Sequence, residues 1–240
     1  EKVVADYVPS SHPLYRDLVE PLCVAVVNAA PEQASARLLA EVMKETVFKG
    51  AGPSRPIIAR NGLSDSFAKP ALRFLEDRNA KIALGCRVSD FNQNTGAITS
   101  FKTAKGSVDL GQDDMVIVAL PPDGAKQILP HLVVPEGAAP IVNVHFKLNE
   151  DVKTDWDAPF MGVVGGVAQW VFVRDRIASV TISAADDILM EDADRIAELT
   201  WADVAKTLNM QSKPVPVSRV VKEKRATFLQ TPNNVKKRPN

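Results

Sequence analysis

Met115-Val116-Ile117-Val118-Ala119-Leu120-Pro121-Pro122 is the stretch on which the fold reading turns. An unbroken apolar run with no polar alternation predicts a strand, Met115–Leu120, buried on both faces. The two prolines end it, because proline cannot donate a ladder hydrogen bond. Working upstream, Ala97–Thr103 and Ser107–Leu110 read as short strands, as does Lys81–Leu84. Asn92–Gly96, Ala104-Lys105-Gly106 and Gly111–Asp114 are the turns. Further upstream the period is helical. Tyr15–Val27 carries Leu18, Leu22 and Val26 at four-residue spacing, interrupted by Pro21, and Pro31–Phe48 opens with proline in its first turn. Ser64–Arg78 is a third helix with Ser64 or Asp65 as N-cap and Leu72 and Leu75 inward. Between the second and third lies the clearest linker, Gly50-Ala51-Gly52-Pro53-Ser54-Arg55-Pro56.

Downstream, Ile141–Leu148 alternates. Val142, Val144, Phe146 and Leu148 form an apolar face, and Ile141, Asn143, His145 and Lys147 a mostly polar one. Phe160–Val164, Gln169–Val173 and Ala178–Ala184 are predicted strands of the same sheet. Asp192–Leu208 is a helix with Ile196, Leu199 and Val204 inward, and Val215–Phe228 is a last strand segment. The polar tail Asn233–Asn240 reads as frayed.

Composition narrows the function. The chain has 240 residues, 45% hydrophobic and 24% charged, the balance of an ordinary globular protein. Lys plus Arg and Asp plus Glu both number 29, so the basic footprint of a nucleic-acid binder is missing. Cys23 and Cys86 have no cysteine at metal-ligand spacing, which argues against a zinc ribbon or disulfide framework and for a reducing, cytoplasmic compartment. No apolar run approaches the ~20 residues of a spanning helix. No G-x-G-x-x-G occurs; Gly50-Ala51-Gly52-Pro53-Ser54-Arg55 places arginine at the third glycine.

Only three histidines are present, His12, His131 and His145, and no nucleophile elbow, so a serine triad is poorly served. Asp186, Asp187, Glu191, Asp192 and Asp194 have no histidine nearby and read as helix-start carboxylates, so no metal is expected. Asn143 and His145 share one strand face. That face is either a solvated sheet surface or the floor of a pocket, and Trp170 and Phe172, together on one face of a neighbouring strand, suit the pocket. Lys222-Glu223-Lys224-Arg225 is either an edge strand blunted by charge or a mouth for anionic head groups.

The order Arg73-Phe74-Leu75-Glu76, Lys81-Ile82-Ala83-Leu84, Arg87-Val88, meander, then Val116-Ile117-Val118-Ala119-Leu120-Pro121 resembles the middle of the flavin-containing amine oxidase and phytoene desaturase superfamily. Glu20–Asn28, Pro31–Leu38, Ala139–His145, Gln169–Phe172, Ile182–Asp187 and Val220–Phe228 are similar to its hydroxysqualene dehydroxylase branch.

The resemblance implies an α/β fold: part of an FAD/NAD(P)-binding-type domain with an inserted α+β, mixed-sheet substrate domain. Residues 1–55 would be the helical part of the substrate domain and 56–130 the middle of the FAD domain. Residues 131–228 would be the substrate-domain sheet and helix, and 229–240 a tail leading back to the FAD domain. It also implies an FAD-dependent oxidoreductase that removes the hydroxyl of a C30 isoprenoid alcohol, in squalene and hopanoid biosynthesis. A carotenoid desaturase, an amine oxidase and a non-catalytic binder of apolar ligands are the alternatives. By the same resemblance Val88 meets adenine, Ala119, Leu120 and Pro121 form the strand end beside FAD, and the lysine position of amine oxidases falls at or beside Asn143. His145 is then the candidate to protonate or hydrogen-bond the leaving hydroxyl, with Asn143 as orienter and Trp170 and Phe172 contacting substrate. The family's glycine loop and Gly-Asp segment lie outside residues 1–240. The resemblance therefore implies an interior piece of a longer flavoprotein, which alone would not retain FAD. The insoluble substrate implies peripheral contact with the inner face of the cell membrane, through Tyr7, Val8, Pro9, Leu14 and Tyr15 and the stripe after them. The same stripe could instead pack against Pro31–Phe48.

Overall fold

The computed structural model describes every residue except 1, 60, 95, 153, 155–157, 159, 211, 212, 239 and 240. The chain forms two compact units, one from Glu1–Arg55 with Val134–Asn240, the other Pro56–Val133.

The first unit begins with a 3-10 turn, Val4–Asp6, and a π-helical turn, Tyr15–Val19, that runs straight into α1 (Glu20–Val27). Pro21 does not break the helix as expected. It sits in the first turn of α1, directly after the π-helical turn. The second helix is shorter than Pro31–Phe48: α2 spans Ala36–Glu45 behind Ser35 in extended conformation. Residues 31–34 make a tight turn instead, in which Ala34 N–H bonds the Ala30 carbonyl at 2.8 Å. Val4, Cys23, Val27, Ala29 and Ala34 form a small core between these pieces. Burial there pushes the Cys23 thiol up to about 12, with Glu32 and Glu20 adding to the shift.

The unit Pro56–Val133 holds α3 (Lys69–Glu76), entered through a π-helical turn at Ser64–Ala68, so neither Ser64 nor Asp65 is the N-cap. Leu75 is exposed and Leu72 half-buried. Three antiparallel strands follow: β1 (Val88–Asn94), β2 (Ala97–Thr103) and β3 (Gly106–Asp109). β1 runs through the Asn92–Asn94 stretch expected to be turn, because Asn92, Gln93 and Asn94 pair with Ser100, Ile98 and Ala97. Lys81–Leu84 and Met115–Leu120 are not strands. Met115 and Ile117 are 86% and 84% exposed, the reverse of burial on both faces. An apolar run states a demand for burial, but a strand exists only through ladder partners, and none is found for it among the described residues. Pro121 precedes a short helix, α4 (Pro122–Ile128).

The rest of the first unit is a five-stranded antiparallel sheet: β4 (Ala139–Lys147), β5 (Phe160–Gly162), β6 (Trp170–Arg174), β7 (Ile177–Ser183) and β8 (Ser218–Thr227), in the order β5-β6-β7-β4-β8. One long helix, α5 (Ala193–Thr207), covers one face. Asp192 caps it, its carboxylate accepting the Arg195 N–H at 2.8 Å. Val142, Val144, Phe146, Val171, Val180 and Ile182 meet Ile196, Trp201 and Val204 across this layer, with the Phe146 and Trp201 rings 5.2 Å apart. Because strand side chains alternate, the opposite face carries Asn143, His145, Trp170 and Phe172. The last helix among the described residues is α6 (Pro232–Val235), so the start of the tail is not frayed: Asn234 is buried, with its amide bonded to the Glu136 and Leu229 carbonyls.

Candidate active site

The register of the sheet assembles the site. Phe172 pairs with Ser179, Ser179 with His145, and His145 with Arg219. One row along, Trp170 pairs with Thr181, Thr181 with Asn143, and Asn143 with Val221. Directly paired residues point to the same face, so the two rows lie side by side on the face that α5 leaves uncovered. Four residues named from sequence, Asn143, His145, Trp170 and Phe172, thus share one surface.

Hydrogen bonds hold the polar pair. His145 Nδ1 lies 2.9 Å from Ser179 Oγ, and Nε2 has no protein partner among the described residues. Thr181 Oγ1 donates to Asn143 Oδ1 at 2.8 Å, an assignment that leaves both Nδ2 hydrogens as donors for a ligand. The face therefore offers fixed donors beside an aromatic shelf. Phe160 completes that shelf, its ring 5.4 Å from Trp170 and 5.3 Å from Phe172. Phe160, Ser179 and Thr181 were not singled out from sequence. Their signal is the cross-strand register, which a single strand's alternation does not contain.

A cavity of ≈ 760 Å³ opens beside this shelf, lined by Trp170, Gln169, the loop Val163–Gly166 and the start of α1. The loop is held from below by Asp203 of α5, whose carboxylate accepts the Ala168 N–H at 2.9 Å. A Cβ on Gly166 would stand 2.7 Å from that carboxylate, so a side chain there would displace Asp203 from its present position.

Lys222 lies on the other side of the sheet, where its ammonium donates to the Leu189 carbonyl at 2.9 Å and also to that of Glu191. β8 is an edge strand, as the charge run Lys222–Arg225 suggested. The face bearing His145 has Lys147 at the exposed strand end, and asparagine stands at 143. No group of three or more His, Cys, Asp or Glu side chains able to hold a metal ion occurs among the described residues.

Val88, Ala119, Leu120 and Pro121 lie in the Pro56–Val133 unit. Val88 opens β1 and is 42% exposed, and Leu120 is 48% exposed. This exposure leaves Val88 and Leu120 free to contact a bound group.

Residues 4–225 match the family model described as flavin containing amine oxidoreductase. The chain belongs to that family. Within it, the chain is 34% identical over 239 residues to a hydroxysqualene dehydroxylase of Sinorhizobium fredii, covering 100% of this chain and 56% of that protein. It is 34% identical over 236 residues to a hydroxysqualene dehydroxylase of Zymomonas mobilis, covering 98% and 56%. The chain thus spans about half the length of the curated relatives it matches. A solved putrescine oxidase variant has the same fold, with a TM-score of 0.59 at 17% identity over 92% of this chain and 60% of that one. The flavin containing amine oxidoreductase family brings with it FAD as cofactor.

Proposed function

We propose that the protein is an FAD-dependent dehydroxylase that converts hydroxysqualene to squalene. In this reading residues 1–55 and 131–228 form the substrate domain, 56–130 belong to the FAD domain, and 229–240 lead back to it. The observation that carries the reading is the pair of cross-strand rows that set His145 and Asn143 beside Trp170 and Phe172 on the uncovered face of the sheet. The relatives' names support the choice of substrate.

Reduced FAD, when bound, would supply the hydride that replaces the hydroxyl. One C–O bond breaks, one C–H bond forms, and the oxygen leaves as water. His145 Nε2 donates the hydrogen bond or proton that the departing oxygen needs, while Ser179 holds the ring through Nδ1. Asn143 Nδ2, turned outward by Thr181, orients the same oxygen. Trp170, Phe172 and Phe160 exclude water and present an apolar surface to the isoprenoid chain. Without lysine at 143, the water-bridging arrangement of amine oxidases is not built here. Val88 would meet the adenine of the cofactor, and Ala119, Leu120 and Pro121 would lie beside it.

The substrate is bilayer-bound, so the protein collects it peripherally, at the inner face of the cell membrane. No helix among the described residues is long and apolar enough to cross a membrane. Tyr7, Leu14 and Val26 are exposed and form the contact. Tyr15 is not part of it, since it is buried and its hydroxyl donates to Glu32. Burial and that carboxylate both push the Tyr15 phenol upward. The surface is mainly apolar, so co-sedimentation with liposomes should persist at high salt; binding lost with salt would overturn the apolar contact.

The reaction is tested by supplying hydroxysqualene to the full-length, flavin-loaded protein after anaerobic reduction. One squalene should form per flavin oxidised. Flavin that stays reduced, with the alcohol recovered intact, would overturn the reading.

A further inference from the structure

A second cavity, of ≈ 640 Å³, lies among the N-terminal turn, α1 and α2. Val4, Leu39, Ala40, Met43 and Phe48 contribute to its lining, with Lys2 and Arg37 as its cations. Leu18 and Leu22 line this cavity and also the one that reaches Trp170, so the same two side chains form the wall between them. We infer that the two cavities act as one slot across Leu18 and Leu22, whose mainly apolar ≈ 640 Å³ part holds the unreacting end of a long hydrocarbon chain with its hydroxyl over Asn143 and His145.

The slot rests on the reading of the Trp170 face as the reaction site, and three observations place the chain in it. The first is the use made of α2. None of its residues is fully buried, although Leu39 and Met43 recur on one side of it, so its apolar side is spent in part on lining a cavity rather than on filling a core. The second is the dividing wall. Leu18 is 51% exposed and belongs to the π-helical turn, one turn before Leu22, where a widened helix most readily admits repositioning of a side chain. The third is size. Each cavity alone has the ~300–1,000 Å³ of a small-molecule site, and in series the two extend from Trp170 to Met43. The mainly apolar lining of the ≈ 640 Å³ cavity offers such a chain about 0.8 kcal/mol per buried CH₂, with no direction and hence no demand on its conformation, while Arg16, Asp17 and Glu20 line part of the cavity beside Trp170.

Ala40 is exposed on α2 and lines the cavity, so Ala40→Trp fills it without disturbing the core. Met43→Trp fills it from the next turn. In the full-length, flavin-loaded protein, each variant should raise KM for hydroxysqualene tenfold or more. Each should leave kcat within about twofold, and should leave both constants unchanged for a fifteen-carbon allylic alcohol too short to pass Leu18 and Leu22. A parallel measurement separates this from the reaction itself: equilibrium binding of radiolabelled squalene, which has no hydroxyl to remove. Wild-type protein should bind it at least tenfold more tightly than either variant, whether or not any alcohol is turned over. Equal squalene affinity in all three, or equal KM effects on the long and short alcohols, would overturn the slot. Failure to turn over any alcohol, with the squalene difference intact, would instead overturn the dehydroxylase reading alone.

Discussion

Asn28 shows how much of this structure rests on single side chains. It ends α1 in the left-handed region at φ 53°, which asparagine tolerates better than most residues. Its Nδ2 donates to Thr227 Oγ1 at 2.9 Å and to the Ala139 carbonyl at 3.4 Å, and its Oδ1 accepts the Ala184 N–H at 2.6 Å. One buried amide thereby ties the helical segment to β4, to β8 and to the residue after β7. Asn28→Ala strands those partners and forces a Cβ-bearing residue with no compensating bond into positive φ. It should cost about 2–4 kcal/mol in urea denaturation, while Asn28→Gly, which relieves the backbone, should cost less. The sequence contains Asn28 plainly, but nothing local to it reveals partners more than a hundred residues away.

The sheet has one packed and one open face, and its elements respond accordingly. Phe146 is fully buried against Trp201, so Phe146→Ala should destabilise by about 3–5 kcal/mol. Phe172 lies on the uncovered face beside Phe160, so Phe172→Ala should cost only about 1 kcal/mol of stability while weakening substrate binding; thermal unfolding beside KM measurement separates the two. This division was legible in Ile141–Leu148, where strict alternation identified both faces, and in part in Asp192–Leu208, where Ile196 and Val204 are buried as expected but Leu199 is only half-buried and Trp201 enters the core. It was not legible in Met115–Leu120. There continuity of apolar residues resembles a fully buried strand, yet pairing is a property of two segments and cannot be read from one. The site was half legible for the same reason. Asn143 with His145, and Trp170 with Phe172, are visible as two-residue spacings within single strands. Their juxtaposition through Ser179 and Thr181 follows from the register of β7, which no strand specifies alone.

At the scale of the molecule, burial is unevenly shared between the two units. Both apolar clusters belong to the unit of Glu1–Arg55 and Val134–Asn240, and no described residue of Pro56–Val133 is buried. Protection from hydrogen exchange follows buried contacts. In the 240-residue chain, amides of β4 and β7 should therefore exchange orders of magnitude more slowly than those of β1 to β3. Equal protection would show that Pro56–Val133 is stabilised by contacts of its own. The chemistry assigned to the first unit comes down to one side chain at the leaving oxygen. The decisive measurement is the anaerobic single-turnover rate at which hydroxysqualene reoxidises the reduced flavin, compared between wild-type protein and His145→Ala. The rate should fall by roughly 10²–10⁴, as for loss of a general acid, with squalene affinity unchanged. A rate equal to wild type would contradict the assignment of this face as the site of dehydroxylation.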